Sequence, residues 1–189
     1  MEAFLASALL VAVAEIGDKT QLLSFVLAAR LRKPWAIIAG ILVATAANHA
    51  LAGSVGVWLA GLVDPAWLPR ITGLLFIAFG LWTLHPDSLD AEPRMHPAGA
   101  FVTTTIAFFL AEMGDKTQFA TITLGAQYAG ALFAVVAGTT LGMMLANVPA
   151  VFLGDRIAGR LSMRWVHGIA AAVFAVLGVL TLLNVGRLF

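Results

Sequence analysis

Ala14-Glu-Ile-Gly-Asp-Lys-Thr-Gln21 returns as Ala111-Glu-Met-Gly-Asp-Lys-Thr-Gln118, 97 residues later in a chain of 189. Each copy lies inside a stretch that is otherwise apolar enough to cross a membrane. Glu15, Asp18, Lys19, Glu112, Asp115 and Lys116 therefore fall where the centre of a bilayer should be. Each costs about 2.5–3.5 kcal/mol at that depth before any pairing. A chain that carries this set twice, in the same order, uses it for function.

Working outward, apolar residues make up 61% of the chain, charged residues 11%, and the mean hydropathy is +0.96. No water-soluble domain of this size has that profile. The net charge of +1 gives no footprint for nucleic acid. The absence of cysteine excludes disulfides and thiolate metal sites. Ala12-Val13-Ala14 has the small residues of a signal-peptide cleavage site, but Met1–Leu5 carries no Lys or Arg. The N-terminus is read as a retained transmembrane helix.

Six runs are long enough to span a bilayer, at roughly Ala3–Ala29, Trp35–Leu62, Trp67–Leu84, Ala98–Ala126, Ala129–Leu153 and Trp165–Asn184. The matches between halves continue beyond the octapeptide. Gly40 pairs with Gly138, Gly80 with Gly178 and Thr83 with Thr181 at an offset of 98, and Asn48 pairs with Asn147 at 99. This divides the chain into a first three-helix repeat (1–84), a cytoplasmic linker (85–97) and a second three-helix repeat (98–189). Three spans is an odd number, so the second unit enters from the opposite side. The predicted fold is an all-α polytopic membrane protein with six transmembrane helices in two inverted-topology repeats. One set of loops holds Arg30, Arg32, Lys33, Arg94, Arg156, Arg160 and Arg164, the other only Arg70 and Arg187. The positive-inside rule then places both termini outside.

On a continuous helix Glu15 and Asp18 are i,i+3 neighbours and Gln21 continues their face; Glu112, Asp115 and Gln118 repeat the pattern. Gly17 and Gly114 stand between the acids, where a glycine loosens a helix or admits a close neighbour. These six polar residues are the candidate metal ligands. Thr20, Thr117, Lys19, Lys116, Asn48 and Asn147 are secondary candidates, with His49 a weaker one. Each motif sums to −1, so the pair matches one divalent cation. Carboxylate, amide, hydroxyl and carbonyl oxygens favour Mg²⁺, Ca²⁺ or Mn²⁺ over Zn²⁺ or Cu⁺. The lysine is a partner for a carboxylate without metal, or an anchor for a loop. Structural ion pairing between helices is the plainer alternative, though buried pairs are poor stability devices. Gly138-x-x-x-Gly142 reads as helix packing.

The pattern Glu-x-Gly-Asp-(Lys/Arg)-(Thr/Ser), fitted by Glu15–Thr20 and by Glu112–Thr117, resembles the family of Golgi calcium/manganese transporters and bacterial manganese exporters. The resemblance covers the whole chain. It implies cation/proton antiport with the motif acids as the ion site. The compact length implies a bacterial inner-membrane form exporting Mn²⁺, with Ca²⁺ as a further substrate and H⁺ as counter-ion. No cofactor, enzymatic activity or obligatory protein partner is expected; the partners are the cation and the bilayer. Two competing readings are an exporter of small organic cations or amino acids, and an intramembrane aspartyl protease. The second lacks the first glycine of its Gly-x-Gly-Asp signature, since Glu15 and Glu112 stand there.

Overall fold

The structure, a computed structural model, describes residues 1–85, 93, 95–153 and 163–183, excepting the side chains of 163–166. The acidic linker residues Asp87, Asp90 and Glu92 lie outside the described residues, as do the orienting charges Arg94, Arg156, Arg160 and Arg187 and the side chain of Arg164. Among the described residues there are eight α-helices and no strand: α1 (Glu2–Glu15), α2 (Lys19–Leu31), α3 (Pro34–Ala60), α4 (Leu68–Thr83), α5 (Ala100–Glu112), α6 (Lys116–Gln127), α7 (Leu132–Leu153) and α8 (Met163–Leu183). A single 3-10 turn, Ala129–Ala131, precedes α7. Pro34 starts α3 and Pro69 sits in the first turn of α4, where the missing N–H is not needed. Arg32, at φ 49°, closes α2 with its N–H on the Ala28 carbonyl.

The expectation of six unbroken spans needs correction. The second, third, fifth and sixth runs are helices α3, α4, α7 and α8, whereas the first and fourth are each two helices, α1–α2 and α5–α6. Two helices, Pro34–Ala60 and Ala129–Leu153 with its leading turn, are long and apolar enough to cross a membrane unaided. The breaks fall at Ile16–Asp18 and Met113–Asp115, inside the two octapeptides.

Burial is inverted relative to a protein dissolved in water. Glu15, Asp18, Asn48, His49, Glu112 and Asn147 are completely buried, while Trp35, Trp58, Leu9, Leu51, Leu110 and Phe133 are exposed. Water-soluble proteins keep such polar groups outside and do not display apolar side chains on this scale. A hydrocarbon solvent reverses the preference.

Helix contacts follow the repeat for α1–α3 and α5–α7, whereas α4 also packs on α6 and α8 on α1 with no comparable α2–α8 or α4–α5 packing among the described residues. α1 packs on α7 and α5 on α3; α2 packs on α7 and α6 on α3; α4 pairs with α8. Matching glycines make the equivalent crossings. A Cβ on Gly40 would lie 2.9 Å from the Phe101 carbonyl oxygen and 2.8 Å from Thr104 Cβ. One on Gly138 would lie 2.4 Å from the Phe4 carbonyl oxygen and 3.0 Å from Ser7 Cβ. Phe4 and Phe101, like Ser7 and Thr104, are 97 residues apart. Small residues thus let backbones approach where lipid supplies no hydrophobic drive between helices. Gly142 joins Gly138 on the α1 side, 2.5 Å from the Ala8 carbonyl oxygen for its missing Cβ, as the packing motif predicts.

Across the centre, α1 lies beside α6 and α2 beside α5, so the two broken spans meet head to tail. One apolar cluster draws Leu10 and Ala14 from α1 and Ala120 and Leu124 from α6; the other draws Leu23 and Leu27 from α2 and Phe108 from α5. The two breaks, with their charges, lie where the first cluster gives way to the second.

Candidate functional site

The tetrapeptide Glu15-Ile16-Gly17-Asp18 is a type II β-turn. Ile16 has φ −66° and ψ 117°, Gly17 has φ 84°, and the Asp18 N–H donates to the Glu15 carbonyl at 3.1 Å. Glu112-Met113-Gly114-Asp115 repeats it, with φ −64° and ψ 116° at Met113, φ 77° at Gly114 and the same 3.1 Å bond. The third residue of this turn needs positive φ, which glycine alone adopts without strain. That requirement breaks each span, and it corrects the picture of Glu15, Asp18 and Gln21 on one helical face. The glutamates are the last residues of α1 and α5; the aspartates are the N-caps of α2 and α6.

The glutamines fasten the turns. Gln21 Oε1 accepts the Gly17 N–H at 2.9 Å and Gln118 Oε1 accepts the Gly114 N–H at 2.8 Å. Their amide groups reach other helices: Gln21 Nε2 donates to the Ala146 carbonyl at 3.1 Å, and Gln118 Nε2 donates to Asn48 Oδ1. Asn48 in turn donates to the Phe109 carbonyl at 3.3 Å. Asn147 accepts from Ser24 Oγ at 2.8 Å and donates to the Met143 carbonyl at 3.1 Å. Asp-Lys-Thr-Gln has the spacing of a capping box, a helix-start signal that the transmembrane pattern concealed. Ser24 was not anticipated; it lies one turn beyond Gln21 on α2, outside the octapeptide, and Thr121 stands at the matching position of α6.

Three carboxylates converge. Glu15, Glu112 and Asp115 each present an oxygen within 4.8 Å of the other two, all buried. Asp18 is outside this group and pairs with Lys116 Nζ. Lys19 Nζ lies 2.9 Å from Asp115 Oδ1. Each lysine therefore crosses to the aspartate of the other motif. Glu15 accepts the Thr20 hydroxyl at 2.6 Å and also the Thr117 hydroxyl. Neither oxygen of Glu112 has a hydrogen-bond partner among the described residues. The two halves are thus alike in backbone and unlike in how their glutamates are held.

Helix ends add to the electrostatics. Glu15 and Glu112 sit at helix C-termini, where unpaired carbonyls and the negative pole of the helix dipole favour a cation. A buried group of three carboxylate oxygens at such a point can coordinate a hard divalent ion. Among the remaining sequence candidates, Gln21, Gln118, Asn48 and Asn147 are engaged as described, and His49 is buried on α3.

The chain resembles known proteins over most of its length. The family model described as "Divalent cation/proton antiporter GDT1" matches residues 3–91 and 100–187. A Vibrio cholerae protein named "Putative manganese exporter" is 50% identical over 171 residues, covering 90% of this chain and 86% of the relative. A GDT1-like protein of Synechocystis is 30% identical, covering 96% of this chain and 97% of the relative. GDT1-like protein 4 of Arabidopsis thaliana is 29% identical, with 95% and 94% covered. No solved structure matches the chain. The two matched segments carry one broken span each, and the chain belongs to the GDT1 family of divalent cation/proton antiporters.

Proposed function

We propose that this chain exports Mn²⁺ across the bacterial inner membrane in exchange for protons, from a seat formed by Glu15, Glu112 and Asp115. The observation that carries the reading is the convergence of these three buried carboxylates at the meeting point of two broken helices. Broken helices whose ends face one another are the usual ion site of secondary transporters. The oxygen-only donor set suits Mn²⁺ and also Ca²⁺. The name of the Vibrio cholerae relative favours Mn²⁺ as the principal cargo.

Charge balance supports exchange. Four motif carboxylates and two lysines leave −2, which one divalent ion cancels. Ligation needs deprotonated carboxylates, so metal entry expels protons and metal exit readmits them. An inward proton motive force then drives the metal outward. The reciprocal contacts among α1–α3 and α5–α7 support an inverted repeat with its pseudo-two-fold axis in the membrane plane, and the loop charges of the sequence support both termini outside. The paired lysines speak against an aspartyl protease, because Asp18 and Asp115 each face an ammonium group.

The test is metal flux into proteoliposomes under an imposed pH gradient, with a lumenal pH dye and a clamped potential. Mn²⁺ should move with opposing proton flux, Ca²⁺ more slowly, Zn²⁺ poorly. Mn²⁺ movement with no proton flux would make the protein a channel or uniporter, and equal Zn²⁺ flux would refute the oxygen-ligand argument.

A further inference from the structure

Lys19 and Lys116 open α2 and α6, at the helix ends where a cation is least favoured. Both are nevertheless drawn inward across the repeat boundary, Lys19 to Asp115 and Lys116 to Asp18. The two pairs are not equivalent. Asp18 lies outside the converging carboxylates, and its pair with Lys116 is sealed, with side chains 3% and 0% exposed. Asp115 belongs to the converging group, and its lysine is 20% exposed. One carboxylate of the metal seat is thus already held at 2.9 Å by an ammonium group.

From this geometry we infer that Lys19 is a tethered cation that holds Asp115 when the seat is empty and must swing out when the divalent ion arrives. The inference rests on the proposed seat. An ammonium at hydrogen-bond distance from a ligating carboxylate is driven off by a divalent ion on that carboxylate, because like charges repel strongly where water is scarce. Lys19 has partial exposure and a flexible four-carbon stem, so it has somewhere to go. Lys116 is sealed against Asp18, with its side chain only 3% exposed, and it stays. Lys19 therefore competes with the cargo: it weakens metal binding and speeds release. It also keeps the unloaded seat from presenting bare carboxylates during the return step. Lys19 is a positioning residue, acting through Asp115, and its removal has a signature opposite to that of a structural ion pair.

The experiment compares wild type, Lys19→Gln, Lys19→Arg and Lys116→Gln as purified full-length protein. It measures Mn²⁺ affinity by calorimetry and exchange in proteoliposomes. Lys19→Gln should bind Mn²⁺ about tenfold more tightly, within the 5–150-fold range typical of coupled sites, and exchange it more slowly. Lys19→Arg should restore the weaker affinity, and Lys116→Gln should tighten binding less than Lys19→Gln does. Unchanged or weaker binding in Lys19→Gln, or equal tightening in Lys116→Gln, overturns the inference. An independent readout uses the wild type alone. Mn²⁺ should raise several-fold the rate at which an amine-reactive reagent labels Lys19, leaving the exposed Lys33 unchanged as control. No rise, or protection, overturns the inference even if no variant folds. Wild type that binds and exchanges Mn²⁺ while these signatures fail refutes the lysine role alone. Wild type that neither binds nor moves any divalent ion refutes the seat itself, and this inference with it.

Discussion

Replacing Gly114 by alanine separates backbone conformation from packing. Gly114 has φ 77°, and a Cβ built there meets nothing within 4 Å. Sterics with neighbours therefore contribute nothing, and the whole effect is the strain of a left-handed residue, about 1–2 kcal/mol for an L-amino acid. That strain falls on the turn that sets Glu112 against Asp115. A penalty of this size lowers the population of the seated turn by a factor of roughly 5–30. The expected result is a folded protein whose apparent affinity for Mn²⁺ drops by about that factor in proteoliposome flux, with a small loss in Tm. Gly114→Asn should fall between wild type and alanine, because asparagine tolerates positive φ better. Gly130 supplies the control: it also has open space, but no positive φ is required there, so Gly130→Ala should leave affinity unchanged. Wild-type affinity in Gly114→Ala, or an asparagine variant no better than alanine, would refute the turn argument.

Three further outcomes are expected. Glu112→Gln should abolish proton-coupled exchange with little change in thermal stability, since Glu112 has no hydrogen bond to lose among the described residues; Glu15→Gln should abolish it and also cost about 1.5–3 kcal/mol, because Glu15 accepts two hydroxyls. Residual exchange in either variant would exclude that glutamate from the seat. Gly56→Ala should destabilise the protein in a thermal melt, because its Cβ would sit 2.0 Å from the Ile122 carbonyl oxygen; a wild-type Tm would show that α3 and α6 are not so close. Asn48→Ala removes the acceptor for Gln118 and should weaken Mn²⁺ affinity several-fold without abolishing flux, and an unchanged affinity would show that Gln118 holds its turn unaided.

The duplicated acids and the helical class were legible because they depend on residue type and spacing. The crossings at Gly40 and Gly138 were legible for the same reason, since small residues at matching positions signal close approach. The break in each motif was only half legible. Hydropathy runs straight through Ile16 and Met113, so span length argued for one helix, while Gly17 and the Asp-Lys-Thr-Gln capping pattern argued for two. The local signal prevailed, because backbone conformation is decided over four residues and hydropathy over about twenty. The placement of Asp18 beside Lys116 rather than among the other carboxylates was not legible. Two motifs identical in these residues acquire different partners only through the three-dimensional register of one broken span on the other.

Crossed lysine–aspartate pairing makes the two halves of the chain depend on one another. A single half would bury two acids and an amine with the amine's partner missing. Two such units, arranged as the halves are here, complete both pairs at once. Divergence is constrained in the same way: a change at Asp115 must be answered at Lys19, almost a hundred positions away, and not at the Lys116 beside it.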